Sequence, residues 1–103
     1  MLLIREIIYC KPGKVRPMVD KFLAMSKLNE KAGFGKMRVM TDFCAERYWT
    51  IVSEFEVPSM GAFEKMMQGE GFTPEMNKEF EKVMEAYHDL VESGRREVFK
   101  IEG

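Results

Sequence analysis

Two segments of the chain have the alternation of a β-strand but carry apolar residues at both their even-numbered and their odd-numbered positions. In Leu2–Cys10, isoleucine and leucine occupy even and odd positions alike, and in Tyr48–Val57, Ile51 and Val52 have opposite parities. Because the side chains of a strand alternate across its sheet, a sheet that is covered on one side needs apolar residues on only one parity. The pattern therefore predicts two central strands in a sheet that is covered on both faces.

The segments between these two strands predict one helix and one edge strand. Lys11–Lys14 contains proline and glycine and predicts a turn. Apolar residues at helical spacing then predict a helix from about Val15 to Asn29. Lys36–Phe43 alternates apolar and charged residues, which is typical of an edge strand with one exposed face. Cys44–Arg47 has the length of a short hairpin loop.

The second half of the chain predicts a split helical region and a closing strand. Ser59 is a suitable N-cap for a short helix over Met60–Gln68, which two nearby glycines interrupt. Thr73 then caps a long helix whose apolar stripe, at 3.6-residue spacing, continues to Val91. The serine and glycine that follow predict the end of this helix. Alternation over Arg95–Glu102 predicts the last strand.

The element order β-α-β-β-α-β predicts the α+β class and a ferredoxin-like fold, in one domain over residues 1–103. Its four-stranded antiparallel sheet has the strand order 4-1-3-2, which places the two doubly apolar strands at the centre. A chain of 103 residues has too few helices to cover both faces of this sheet. We therefore expect a second copy of the chain to cover the other face, so that the protein is a homodimer.

Composition and charge narrow the range of partners and locations. The chain is 46% apolar and 32% charged, with a net charge of −1 and interspersed signs. Neither nucleic acid nor an anionic membrane is therefore an expected partner. The longest apolar run is Met1–Ile4, which predicts neither a transmembrane helix nor a secretory signal, so the expected location is cytoplasmic.

The two cysteines are expected to be unbonded. The predicted strand order places Cys10 and Cys44 about two strand spacings apart, roughly 9–10 Å, whereas the Cα atoms of a disulfide lie within about 7 Å. Each cysteine is more readily explained as a small buried apolar residue than as a nucleophile.

Three stretches of the chain, Tyr9–Val15, Tyr48–Glu56 and Val91–Phe99, resemble the dimeric α/β-barrel superfamily. This superfamily includes antibiotic-biosynthesis-monooxygenase-like and NIPSNAP-like proteins, and the resemblance is nearest to small bacterial NIPSNAP-like members. It implies that two subunits pack their sheets face to face into an eight-stranded barrel. It also implies a ligand cleft between the sheet and the helices of each subunit.

The resemblance does not extend to the haem-degrading members of the superfamily. Those proteins use an asparagine on the first strand, and a tryptophan and a histidine after the third strand. Counted from Phe63, Met66 and Met76 occupy the last two positions here, and the first strand has no asparagine. One histidine and scattered acids are also too few to predict a metal site. We therefore expect no cofactor and no metal.

The predicted topology places several chemically versatile side chains at one edge of the sheet. Histidine is the side chain whose unperturbed pKa lies nearest neutrality, so His88, the only histidine, is the candidate for proton transfer. The arginines are candidates for binding an anion, and the aromatic residues for orienting an aromatic substrate. The catalytic candidates are His88, Arg95 and Tyr48, and the ligand-binding candidates are Tyr9, Trp49 and Arg96.

Two functions of different classes are compatible with these residues. The first is a small-molecule-binding protein or a cofactor-independent monooxygenase-like enzyme that acts on a small aromatic or anionic metabolite. The second is a non-catalytic dimeric structural or accessory module, in which the arginines are solvated and the aromatic residues are core or interface contacts. The first predicts a solvent-accessible cavity of a few hundred cubic ångströms. The second predicts that methionine and phenylalanine fill the space between helices and sheet.

Overall fold

A computed structural model describes residues 1–103 as four strands, three α-helices and one 3₁₀ turn. In chain order the elements are β1 (Leu2–Cys10), α1 (Val15–Lys31), β2 (Arg38–Thr41), β3 (Thr50–Val57), α2 (Met60–Met67), α3 (Pro74–Val83), the 3₁₀ turn (Tyr87–Asp89) and β4 (Val91–Lys100).

The four strands form one antiparallel sheet in the order β2-β3-β1-β4. This is the predicted order 4-1-3-2 read from the other side, so the ferredoxin-like α+β prediction is confirmed. The doubly apolar strands β1 and β3 are the central pair, with Ile8 opposite Ile51 and Ile7 opposite Val52. None of the three helices is long and apolar enough to cross a lipid bilayer.

Helices cover one face of the sheet, and the hydrophobic core lies between the helices and this face. On this face Ile4 of β1 and Ile51 of β3 are completely buried, as is Met18 of α1. Phe22 of α1 and Phe63 of α2 belong to the same cluster. Full burial of each such side chain contributes about 1.5–3 kcal/mol to folding. The space between the helices and the centre of the sheet is therefore filled.

The opposite face of the sheet, which we call the open face, has no helix over it. The strand registers place on it Leu3, Arg5, Ile7 and Tyr9 of β1, Val52, Glu54 and Glu56 of β3, Arg38 and Met40 of β2, and Arg95, Glu97 and Phe99 of β4.

A row of ion pairs crosses the open face. Arg5 Nε lies 2.6 Å from a Glu54 carboxylate oxygen, and Arg5 Nη1 lies 3.7 Å from Glu97. Apolar side chains flank the row on both sides, including Ile7 and Phe99. The open face is thus mixed apolar and charged, with its central charges balanced.

The predicted long final helix is wrong beyond Val83. Helix α3 ends there, and the backbone reverses at Ala86, which has φ 62°. The 3₁₀ turn follows, and strand β4 already begins at Val91, which pairs with Cys10. Tyr87 and its apolar neighbours were predicted as part of the helical stripe, and they pack against the core from the turn instead. Pairing with β1 therefore overrides the helical pattern of this segment.

Gly94 lies inside β4 rather than at a helix end as predicted. It stands opposite Ile8 in the register of β1 and β4. A Cβ atom at this position would lie 2.8 Å from Ile8 Cδ1 and 3.0 Å from the Ile7 carbonyl oxygen. Such distances leave no room for a side chain, so glycine allows the close approach of the two strands.

Strands β2 and β3 are also shorter than predicted, so the loop between them is longer. Strand β2 ends at Thr41, and β3 begins at Thr50 rather than at Tyr48. The reason is the local hydrogen bonding, in which the Thr50 N–H donates to the Asp42 carboxylate at 2.9 Å. The Thr50 hydroxyl donates to the Arg47 carbonyl at 2.8 Å. These bonds close residues 42–49 into an ordered loop.

Helix α3 packs against α1. The rings of Phe34, Phe72 and Phe80 form a chain with centroid separations of 6.1 and 6.2 Å. Lys21 of α1 donates through Nζ to the Val83 carbonyl at 2.9 Å, at the end of α3. Strand β4 is exposed along most of its length.

Candidate functional site

One edge of the sheet collects the ends of β1 and β2 and the starts of β3 and β4; we call it the strand-end edge. The Cys10 N–H donates to the Trp49 carbonyl at 2.8 Å, and the Lys11 N–H donates to the Leu90 carbonyl at 2.9 Å. These two bonds hold the end of β1 between the β2–β3 loop and the 3₁₀ turn that carries His88. The predicted site segments therefore do meet at one edge.

A recess of about 280 Å³ opens at this edge, beside the start of α1. We call it the edge recess, and it is lined by Val15, Thr41, Asp42, Tyr48 and Trp49. The Tyr48 side chain is 86% exposed and the Trp49 side chain 43% exposed. Two large aromatic side chains that remain this accessible offer flat apolar surface for a ligand.

Trp49 has a backbone conformation that residues with a side chain seldom adopt. Its φ is 60°, which lies in the left-handed region, and this region costs a non-glycine residue of the order of 1–3 kcal/mol. The surrounding hydrogen bonds impose it, because the Trp49 carbonyl is held by Cys10 and the next residue, Thr50, by Asp42. Strain of this kind is found at ligand-binding positions, and here it lies on the residue that lines the recess.

On the open face near the same edge, two arginines converge on the Tyr9 ring. Arg47 Cζ lies 4.1 Å and Arg95 Cζ 5.9 Å from the ring centroid, and Arg95 also donates a hydrogen bond to the Tyr9 hydroxyl. Each arginine has a carboxylate partner, Glu92 for Arg47 at 3.3 Å and Glu97 for Arg95 at 3.0 Å. The hydrogen bonds to Glu97 and to Tyr9 raise the pKa of Arg95. Both cations are therefore paired. Because Arg47 belongs to the β2–β3 loop, its contacts with Tyr9 and Glu92 fix this loop to the sheet, and we call these residues the Tyr9 cluster.

Arg96 lies on the other face of the sheet from Arg95. It pairs with the Glu6 carboxylate, and its Cζ lies 5.0 Å from the Phe63 ring centroid, on the helix-covered side. Neighbouring residues of a strand point to opposite faces. The prediction that both arginines lie together at the strand-end edge is therefore wrong. Strand β4 begins at Val91, so Arg95 and Arg96 stand opposite Ile7 and Glu6, inside the sheet.

His88 lies in the 3₁₀ turn and is exposed. Its ring centroid is 4.2 Å from that of Tyr87. His88 belongs to the strand-end edge but not to the lining of the edge recess. No group of three or more histidine, cysteine or acidic side chains is placed to hold a metal ion within residues 1–103.

Sequence reasoning missed Arg47 and Asp42, which organise the site. Arg47 was predicted as an ordinary loop residue, and the signal that could have marked it is a cation one position before exposed Tyr48.

Both cysteines are free, as predicted. Cys10 is buried, and this burial raises the pKa of its thiol. Cys44 is exposed, so the expectation of a buried apolar role is wrong for it.

Comparisons with known proteins identify the fold. No protein-family model matches the chain, and no curated relative is found. A NIPSNAP-like domain protein from Burkholderia xenovorans superposes with a TM-score of 0.76 at 9% identity, over 98% of this chain and 84% of that one. An antibiotic biosynthesis monooxygenase superposes with a TM-score of 0.70 at 11% identity, over 100% of both chains. The chain has the NIPSNAP and antibiotic-biosynthesis-monooxygenase fold.

This NIPSNAP and monooxygenase fold is shared with a third solved structure. A variant of SnoaB, a cofactor-independent oxygenase from Streptomyces nogalater, superposes with a TM-score of 0.64 at 10% identity, over 99% of this chain and 93% of that one. The resemblance predicted from the sequence is thus confirmed at the level of the fold. At identities near one residue in ten, the comparison transfers the backbone arrangement, and function has to be argued from the site.

Proposed function

We propose that the chain is a homodimeric small-molecule-binding protein that takes a small aromatic metabolite into the edge recess. The observation that carries this proposal is the accessible pair Tyr48 and Trp49 around a recess of about 280 Å³. A non-catalytic module predicts no such recess. Methionine and phenylalanine side chains fill the space between helices and sheet, as the second function predicts, so the cleft that the resemblance implies there is closed. The edge recess provides another position for a ligand.

The recess favours an uncharged phenolic or quinol ligand over an anion. Its volume lies just below the approximately 300–1,000 Å³ of sites for drug-sized molecules, so one or two rings fit. Tyr48 and Trp49 can stack on such rings. Asp42 uses one carboxylate oxygen for the Thr50 N–H, and its remaining acceptor capacity can receive a ligand hydroxyl. The same negative charge repels a carboxylate ligand.

The homodimer is supported by the composition of the open face. Val52, Leu3 and Met40 are only half-buried there, and Phe99 is 44% exposed. Sheets of this kind normally have a packed layer over such apolar positions. The ion-pair row around Arg5 carries its own balance of charge, so a second subunit can cover the centre of this face without separating the paired charges. A second copy of the same face is a self-complementary partner under two-fold symmetry.

A catalytic role is the second part of the proposal, and it rests on the placement of three candidates. His88 is the proposed proton carrier because it is exposed on the turn at the strand-end edge. Tyr48 is proposed to orient the bound ring, and Arg95 to position the β2–β3 loop that carries Tyr48, through the Tyr9 cluster on the open face. The fold of a cofactor-independent oxygenase supports chemistry without a bound cofactor. Tyr9 and Arg96 contribute by holding the loop and the sheet rather than by contacting the ligand.

The binding proposal is tested by calorimetric titration of the protein with a panel of phenols and quinols. Trp49→Ala removes one wall of the recess and should weaken binding of a panel ligand about tenfold, which corresponds to roughly 1.4 kcal/mol. Phe43→Ala is the matched control, because Phe43 is fully exposed in the same loop and does not line the recess. Equal affinities of the two variants, or no binding by any panel member, would refute the proposed site.

The dimer and the proton carrier are tested separately. Val52→Asp places a charge on the open face and should give a monomer or an insoluble protein by sedimentation. The control Leu23→Asp changes an exposed apolar residue of α1 and should remain a dimer. A soluble, folded Val52→Asp dimer would contradict the proposed interface.

For any panel member that is turned over, His88→Ala should reduce the rate of turnover while leaving the affinity for that ligand unchanged.

A further inference from the structure

A second cavity lies at the opposite end of the strands from the edge recess. Its volume is about 570 Å³, and it opens where the start of β2 separates from the end of β3. The register Arg38 opposite Glu54 would place Lys36 opposite Glu56, yet the pairing stops at Arg38. Gly35, with φ 82°, directs the chain away from the sheet just before this point. We call the resulting wedge the splay cleft.

Three charged side chains at the splay cleft lack partners within the chain. Lys36, Arg38 and Glu56 line the cleft and are exposed. The ion pairs of the chain engage other side chains, and Glu54 in the same cleft is already bound to Arg5. The mouth of the cleft therefore offers two free cations and one free carboxylate.

The cleft also offers the backbone of Glu56. The Thr50 carbonyl accepts a hydrogen bond from the Asp42 N–H across the β2 side of β3. In an antiparallel strand alternate residues direct both backbone groups to the same side, so Glu56 directs its N–H and C=O toward β2 as well. Strand β2 has no residue paired with it. A backbone donor and acceptor thus lie beside the three free charges.

We propose that the splay cleft binds a zwitterionic molecule with an apolar body, of the size of an amino acid or a dipeptide. Lys36 and Arg38 would hold its carboxylate, and Glu56 its ammonium group, through charge-assisted hydrogen bonds. The apolar body would rest against the apolar residues that line the cleft, which are Leu3, Phe34, Met37 and Phe55. The volume lies within the range of small-molecule sites. This site goes beyond the proposed function in its position and in its ligand.

Three probes of equal apolar body separate the contributions of the two charges. Phenylalanine carries both charges, 3-phenylpropanoate only the carboxylate, and phenethylamine only the ammonium group. Titration by two-dimensional NMR should show phenylalanine binding at least tenfold more tightly than either analogue. The largest shift changes should fall on residues 34–38 and 54–56. Equal binding of the three probes, or no binding of phenylalanine, would overturn the proposal.

Exposed substitutions test the same site without disturbing the fold. Arg38→Ala and Glu56→Gln should each weaken phenylalanine binding about tenfold. Lys78→Ala, on an exposed position of α3, is the matched control and should leave binding unchanged. Trp49→Ala should also leave it unchanged, because Trp49 lines the edge recess; a loss there would assign the binding to that recess and overturn the splay cleft. An unaffected Glu56→Gln variant would equally refute the zwitterion.

Discussion

Gly94→Ala tests the most unexpected part of the fold, which is the strand that replaces the predicted end of the last helix. The added Cβ would meet Ile8 Cδ1 at 2.8 Å and the Ile7 carbonyl oxygen at 3.0 Å. Movement of the Ile8 side chain relieves only part of this overlap, because the carbonyl belongs to the backbone of the central strand β1. One of the two strands must therefore shift.

The expected cost is that of overpacking a closely fitted position, about 1–3 kcal/mol in the free energy of unfolding. For a domain of about 100 residues, each kcal/mol lowers Tm by roughly 4–8 °C. Gly61→Ala is the matched control. Gly61 lies in α2, and the nearest atom to its added Cβ is 3.8 Å away, so this change should stabilise the protein by about 0.5–1 kcal/mol.

The assay is urea unfolding followed by circular dichroism, at one fixed protein concentration because association changes apparent stability. A double-mutant cycle identifies the contact. Ile8→Val removes Cδ1, so Gly94→Ala should cost about 0.5 kcal/mol less in that background than in the wild type. If Gly94→Ala is as stable as the wild type, or if the cycle shows no coupling, the register of β1 and β4 described here is refuted.

Three further predictions concern the thiols and the helix contacts. Burial raises the pKa of Cys10 in the folded state, so the unfolded chain loses this proton first, and stability should fall as pH rises above the ordinary thiol pKa of about 8.5; Cys10→Ala should abolish that fall, and an unchanged slope would contradict it. A thiol reagent should modify Cys44 rapidly and Cys10 only on unfolding, and two equally fast thiols would contradict the placement of Cys10 in the core. Thr73→Ala removes the side chain that caps α3 and should cost about 1 kcal/mol in urea unfolding, whereas no loss would mean that the cap is dispensable.

The fold was predictable because its strongest signal is local. The alternation of apolar residues in β1 and β3, together with the element order, leads to the observed sheet. The end of α3 was not predictable in the same way, since Ser93 and Gly94 look like a helix stop. What decides their conformation is pairing with Tyr9 and Ile8, more than 80 residues earlier in the chain, and no local pattern contains that information.

The candidate site was predictable in outline only. Topology alone brings Tyr9, Trp49 and the 3₁₀ turn to one edge, as observed. The separation of Arg95 from Arg96 follows from alternation in any strand that contains both. The error in the start of β4 placed both arginines at the strand-end edge instead of opposite Ile7 and Glu6. The role of Arg47 depends on a loop whose path is set by the Asp42 hydrogen bond, which sequence patterns do not reveal.

The most direct test of the proposed function uses Trp49, because it is the only tryptophan in the chain. Its intrinsic fluorescence reports on the edge recess without interference from any other indole. Titration of the wild-type protein with phenols and quinols that absorb outside the excitation and emission bands should produce a saturable change in intensity or wavelength for at least one of them. Binding detected by calorimetry with no change in Trp49 fluorescence would place the ligand elsewhere and contradict the account.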